Sequence, residues 1–467
     1  MNRRLSLLSL AAALALPSVH AADGAALYLQ NCAGCHGAQR QGGEGPSLTA
    51  HAGQGKTDKT SLTTFIANGA PAKGMPAWKG VLDAAQIGAI ADFLQTPNAT
   101  NAANAAPLKA APAATYPELA NFRLPVGFSM GVFSDQVENA RSLAVSPSGV
   151  VYVGSGKAGK VYALVSSKQD GVVDKVVVVA EGLQQPNVAY HDGSLYVGEI
   201  ARVLRFDNID SNFQRKPAYR VIKAALPKDT HHGAKAIKVG PDGKLYIPIG
   251  APCNVCNKEE QVYSKIYRME SDGSHFEEFA RGIRNSVGLS WHPVTRQLWF
   301  TDNGRDLLGD NLPSDKLNLA PKAGLHFGFP YCAGGVLPDP EFAAGRRCDE
   351  FAAPMAKLGP HVAALGLNFN AGKMFPAEYR NQLFIAEHGS WNRSQKSGYR
   401  VALVTLADNQ VVSDTVFIDG FLQDGVVVGR PVDIAFMADG SMLVSDDFKG
   451  RVYRVTYKAP AAKESSK

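Results

Sequence analysis

Cys32-Ala33-Gly34-Cys35-His36 sets two thiols three positions apart with an imidazole beside the second. This is the C-x-x-C-H pattern of covalent haem attachment. Cys32 and Cys35 can form thioethers to the two vinyl groups, and His36 can reach the iron from one side. A redox or zinc pair, or a disulfide, is the alternative for two such thiols. Downstream, the segment 69–76 (GAPAKGMP) offers the Met75 thioether to the opposite haem face. Such a ligand raises the iron's potential and suits electron transfer rather than oxygen chemistry. His51 is the rival second ligand, and a core methionine is the plain reading of Met75. A second set lies far along the chain: His232, Arg284, Asn285 and Arg430, with Arg141, Gln185 and Lys235. Cations converging beside one imidazole suit a polyanionic ligand and a general base. Solvated loop residues or ion pairs closing neighbouring sheets are the alternative, above all for Arg141, Gln185 and Lys235.

The elements that must position these residues differ between the two sets. Residues 25–31 read as a short helix leading into the thiols, and 87–94 as a closing helix carrying Phe93. From 124 onward no long helical periodicity appears. One pattern returns instead: an alternating apolar run, a turn, then a second alternating run, over 142–164, 187–206, 235–250, 286–304, 365–388 (the weakest) and 432–455. Spacings of roughly 45 to 60 residues, with one larger insertion, belong to propeller blades. Pro or Asp with Gly at the turns supplies the positive φ that hairpins need. The expected fold is therefore multidomain: a small all-α domain plus an all-β six-bladed β-propeller. Two packed sandwiches are the alternative.

In a propeller the first residues of the innermost strands open onto one face. Counting back from the turn residues Pro147, His191, Pro241, Pro293 and Ala438 gives Asn285 and Arg430 at one offset and Arg141, Gln185 and Lys235 two positions nearer. Those offsets share a strand face. His232 and Arg284 lie one position further back, so all seven are expected around one mouth.

Composition bounds the rest. The 467 residues carry a net charge of +6 with no basic run, which argues against a nucleic-acid partner. Arg3 and Arg4, the apolar run 5–16 and Val19-His20-Ala21 read as a secretory signal over 1–21. No later run is long enough for an integral membrane span, so a periplasmic or secreted protein is expected. Residues 22–96 form the first domain and 97–118 an Ala/Pro/Asn-rich linker. The propeller follows over 119–458, and 459–467 is expected to be a disordered tail.

Across 22–96 the order of helix, C-x-x-C-H, methionine loop and closing helix resembles a class I cytochrome c. Farther along, 230–235 (THHGAK), 281–289 (RGIRNSVGL), 301–305 (TDNGR) and 429–433 (GRPVD) resemble the soluble pyrroloquinoline quinone (PQQ) sugar dehydrogenases. Segments 250–256 (GAPCNVC) and 389–393 (GSWNR) bring the likeness closer to the L-sorbosone dehydrogenase-like branch. The resemblance implies His232 as the base that takes the substrate's hydroxyl proton, and Arg284 and Asn285 against the quinone. Arg430 would bind a cofactor carboxylate or stabilise the reduced quinone. Where the family sets a Lys/Arg pair in its fifth blade, His388 and Arg393 are the candidates here. Val432 stands where the sugar dehydrogenases have a second arginine, which puts aldose specificity in question. Calcium is the implied metal, held by the carbonyls of Gly304 and Arg305, and the acid-rich stretch adds Asp310. The implied activity is oxidation of a sugar, a sorbosone-like aldehyde or a related alcohol, with electrons leaving through haem c to an external acceptor.

Of the remaining cysteines, Cys332 and Cys348 close a Pro/Gly-rich insertion and are expected to form a disulfide. Cys253 and Cys256 are placed to pair as well, and a zinc site from all four is the alternative. The tryptophans do not recur at a fixed spacing, unlike those of eight-bladed quinoprotein alcohol dehydrogenases. A binding-only propeller, a calcium-dependent lactonase and a cytochrome-fused nitrite-reducing propeller are the rival functions. An attached cytochrome has no use in hydrolysis, and the nitrite-reducing type needs eight blades, for which the chain is too short.

Overall fold

The computed structural model describes residues 24–32, 36, 40, 46–48, 58–71, 75–96, 116–168 and 171–460. The expected signal, Cys35, His51, most of the linker and most of the tail lie outside them.

Three helices of the small domain are Gly24–Asn31, Lys59–Asn68 and Ala84–Gln95. The first and last cross closely: a Cβ on Gly24 would stand 2.0 Å from the carbonyl oxygen of Ala89, so only glycine permits the approach. Tyr28 and Phe93 pack with tilted rings beside that crossing, centroids 5.2 Å apart. Asp58 caps the second helix through the Ser61 amide, and Asp83 with Gln86 forms a reciprocal box on the third. Arg40 is buried and donates to the carbonyls of Phe93 and Thr96 at 3.0 and 2.8 Å, closing the third helix's C-terminus.

The remainder is a ring of six sheets, each built on four antiparallel strands. The third blade adds a short fifth strand, Leu325–His326, that pairs in parallel with Glu277–Arg281, and two small two-stranded hairpins lie outside the blades. Their innermost strands are Leu143–Val145, Asn187–His191, Lys238–Val239, Leu289–Trp291, Ala364–Phe369 and Pro431–Phe436. The second strands, such as Val151–Gly154, Leu298–Asp302 and Met442–Asp446, are buried along their whole length. Alternation explains how: Tyr152 packs toward blade two, whereas Val151 and Val153 pack toward blade six. The same arrangement repeats at every junction, giving six apolar clusters, each shared by two adjacent blades. A ring closed by six such interfaces matches the expected propeller and excludes the sandwich alternative.

The ring is stitched by chain ends. Phe128–Ser134 pairs with Arg451–Tyr457 as the outermost strand of blade six. Packing against the propeller begins earlier, inside the expected linker, because Glu118 accepts from Arg451 at 2.6 Å. Both disulfides form, Cys332–Cys348 and Cys253–Cys256, so the four-cysteine zinc site does not. No helix among the described residues is long and apolar enough to cross a membrane.

Candidate functional sites

In the small domain, Cys32 and Met75 pack against one apolar cluster with Trp78, Ile87 and Ile90. His36 is buried, and its Nδ1 lies 2.9 Å from the carbonyl oxygen of Pro46. A carbonyl only accepts, so Nδ1 carries the proton and Nε2 is left as a metal donor. Met75 is fixed by paired backbone bonds with Ala70 at 2.8 and 3.2 Å. A buried imidazole, together with a thioether and a thiol that pack against one apolar cluster, is a donor set that fits a haem c.

In the propeller, the loops leaving the second strands and those entering the innermost strands share one face. Glycine lets them meet. A Cβ on Gly250 would lie 2.7 Å from the Cβ of His232 and 3.3 Å from Oδ1 of Asn285. His232 itself has φ of 48°, a left-handed conformation unusual for a non-glycine residue and characteristic of constrained sites. Its Nδ1 sits 2.8 Å from the carbonyl of Ala251. Burial first, then Arg284 and His231, push its pKa well below the usual imidazole value, against the smaller opposing effect of that carbonyl. The ring is therefore neutral at pH 7, protonated on Nδ1, with the Nε2 lone pair available as a base.

Arg284 is 4% exposed and already engaged. It donates to the carbonyl and Oδ1 of Asn254 at 2.8 and 2.9 Å and to Asp306 at 3.0 Å. It contributes charge beside His232 rather than a free fork. Cys253–Cys256 closes a tight loop around Asn254, two residues after Ala251.

A second group centres on Asp447, which the sequence reading missed. His388 Nε2 lies 2.9 Å from its Oδ1, and Arg141 Nη1 donates to Oδ2 at 2.6 Å. Burial acts to raise the Asp447 pKa, but His388, Arg141 and Arg430 together hold it well below the carboxylate range. Burial, then Arg430, lowers His388 to about 4, so the imidazole is neutral and donates to the carboxylate. Arg430 donates to the carbonyls of His388 and Gly389 at 3.2 and 2.8 Å and lies over the Tyr399 ring.

The two groups are joined. Ala251 N donates to the Arg284 carbonyl at 2.8 Å, and Asn303 Nδ2 bonds the carbonyls of Asn285 and Ala364 at 3.1 Å. His388 N then donates to Ala363 at 3.0 Å. Hydrogen bonds and two peptide links, Arg284–Asn285 and Ala363–Ala364, thus connect His232 to Arg141 around the mouth. Lys235, 1% exposed, holds the Gly233 carbonyl next to His232, and burial lowers its ammonium to about 8 against the pull of Asp229. Gln185 takes a left-handed turn, φ 50°, entering blade two. Its side chain, like that of Asn285, has no hydrogen-bond partner among the described residues.

The structure takes Arg393 and Asp310 elsewhere. Arg393 donates to the Asp310 carbonyl at 2.9 Å, and the Asp310 carboxylate accepts from Ser394, tying two rim loops together. That Asp310 carboxylate is exposed, with its pKa lowered by Ser394. Gly304 donates its amide to Asp315 at 2.7 Å. No group of three His, Cys, Asp or Glu side chains among the described residues converges as a metal site. A cation here would rest on main-chain oxygens.

Two guanidinium groups, a neutral imidazole and two amides without a hydrogen-bond partner among the described residues are thus gathered at the mouth end of the ring, a donor set suited to an anionic ligand. Residues 122–458 match the family described as TrAA12-like, and residues 19–94 match cytochrome C oxidase, cbb3-type, subunit III. An uncharacterized protein of Borreliella burgdorferi is 34% identical over 355 residues, 72% of this chain and 91% of that protein. Cytochrome c55X of Stutzerimonas stutzeri is 40% identical over 85 residues, 17% of this chain and 74% of its own length. Among solved structures, the calcium structure of the Trichoderma reesei Carbohydrate-Active Enzymes Family AA12 protein superposes with a TM-score of 0.64 at 17% identity, covering 72% of this chain and 97% of that one. The holo PQQ domain of pyranose dehydrogenase from Coprinopsis cinerea gives 0.60 at 17% identity with the same coverage. At such identities the likeness to solved structures is one of fold.

Proposed function

The chain belongs to the TrAA12-like family, and from that premise we propose that it is a PQQ-dependent dehydrogenase of a sugar, a sorbosone-like aldehyde or a related alcohol, delivering electrons through its own haem c to an external acceptor. The observation that carries the reading is His232: a neutral imidazole with its Nδ1 proton fixed on Ala251 and its Nε2 free, inside a cationic mouth.

PQQ, when bound, supplies the site that accepts two electrons from the substrate carbon. Arg430 and Arg141 would hold its carboxylates, with Asn285 and Gln185 as amide partners. The carbonyls of Gly304 and Arg305 are the proposed calcium donors. His232 Nε2 takes the substrate's hydroxyl proton, and Arg284 then disfavours a long-lived imidazolium, so that proton is passed on readily. Asp447, through His388 and Arg141, fixes the opposite side of the mouth. In the small domain, Cys32 and Cys35 would hold haem c, with His36 and Met75 on its iron. The two disulfides support an exported, periplasmic protein.

The test is an absorption spectrum of the purified full chain before and after adding PQQ, calcium and a panel of sugars and aldehydes. Substrate-driven reduction of the haem bands is expected. Haem bands that stay oxidised with every substrate, while a dye acceptor also stays unreduced, would refute the reading.

A further inference from the structure

We propose that the cytochrome domain of the same chain docks on the mouth face of the propeller, against the apolar rim formed by Leu307 and Leu312. The inference rests on the reading above and adds where the electrons leave.

The far end of the tether is fixed on that face. Tyr116 donates its hydroxyl to Asp135 at 2.8 Å, and the Arg451 guanidinium lies over its ring, 4.5 Å from the centroid. Glu118 accepts from Arg451 at 2.6 Å, and Asn121 from its amide bonds Gln423 at 3.0 Å. Arg451 opens the third strand of blade six, and Asp135 follows the end of the outermost one. Antiparallel order places both at the mouth side, beside the loop that carries Asp447. The stretch 97–115 spans about 65 Å at most when extended. Chain continuity from Tyr116 therefore keeps the cytochrome within reach of the mouth face.

The rim offers a surface for it. Leu307 and Leu312 are 62% and 47% exposed in the loop whose Asp306 holds Arg284. Leu307 has φ of 71°, a conformation a leucine adopts only when its loop constrains it. On the cytochrome, Phe65 and Val81 are exposed at 52% and 61% on the segments next to Trp78 and Met75: Trp78 N bonds the Ile66 carbonyl, and Val81 N bonds the Trp78 carbonyl. Redox encounters use small interfaces, so a few apolar side chains on each side suffice. Oxidation of one alcohol to a carbonyl releases two electrons and two protons. The iron takes one electron per cycle, Fe(III) to Fe(II), and an external one-electron oxidant restores Fe(III) before the second.

The test mixes the full chain, loaded with PQQ and calcium, in a stopped flow with whichever of D-glucose, D-xylose and glycolaldehyde reduces a dye fastest. Leu307→Lys/Leu312→Lys should slow haem reduction at least tenfold and leave dye turnover within twofold of the parent. The parent's haem reduction rate should not depend on protein concentration. Unchanged haem reduction in the variant overturns the proposal, and so does a rate that grows with concentration, which would make the donor a second copy. Absence of dye turnover in the parent removes the dehydrogenase reading itself, and this proposal with it.

Discussion

Lys238 and Asp433 meet across the axis of the ring, Nζ to Oδ2 at 3.0 Å, although one opens blade three and the other lies on the innermost strand of blade six. The same Asp433 oxygen accepts the amide of Leu143 from blade one at 2.9 Å. Three blades are thus tied at one carboxylate, which forms the floor beneath the mouth. Lys238→Met leaves that buried carboxylate without its cation and should cost about 3 kcal/mol. Lys238→Met with Asp433→Asn should recover most of the loss. Urea unfolding followed by tryptophan fluorescence measures both, and equal midpoints for parent and single variant would show that the pair contributes nothing.

Gly250→Ala puts a methyl group 2.7 Å from the Cβ of His232 and 3.2 Å from the Arg284 carbonyl. Something must move, and the base is the nearest group. Turnover should fall about 100-fold, the effect of misplacing a catalytic group by about 1 Å. Thermal unfolding should shift only modestly. A fully active Gly250→Ala enzyme would remove His232 from the chemistry.

The pH dependence follows from the two imidazoles. His232 stays neutral well below the usual imidazole range, so kcat/KM should remain flat as pH falls through 6.5 and decline only at lower pH. A decline centred above 6.5 would contradict the assignment. His388 behaves differently because it bears on stability. Unfolded, it takes a proton below about 6.5; folded, it does so only near 4. Its contribution is therefore lost progressively from pH 6.5 to 4. His388→Gln should be less stable than the parent at pH 7, and the gap should close across that window, as read by thermal melts at fixed salt.

How much of this was visible in the chain beforehand follows physical lines. The repeats were legible because blade junctions demand apolar alternation, and each turn demands glycine or its equivalents. His232 and Arg284 could be placed at the mouth because their distance from the turn is set by a regular strand. Asp447 could not, because it sits past the end of a second strand, where the preceding turns differ in length between blades. Asn254 was equally hidden: nothing in a polar loop residue announces that its amide will bridge Arg284 and Asp306. Asp310 misled because acids cluster in that loop to bind Ser394 and neighbouring amides. The transaxial pair was invisible for another reason, since only ring closure brings Lys238 and Asp433 together.

Met75→Ala removes a donor that shares an apolar cluster with Cys32. The haem potential should drop on loss of the thioether, and electron delivery to an external acceptor should slow. Dye-linked oxidation at the propeller should be unaffected. Potentiometric titration and parallel assays with ferricyanide and a dye separate these effects, and an unchanged potential would mean that Met75 is not on the iron.

The pairing of Phe128–Ser134 with Arg451–Tyr457 also has a bearing on biosynthesis. The early strand has no partner until the last stretch of the propeller leaves the ribosome or the export channel. Arg141 stands on one side of that seam and Arg430 and Asp447 on the other. The small domain can fold while synthesis is still under way, whereas the mouth between Arg141 and Arg430 comes into being only when the last strand is in place.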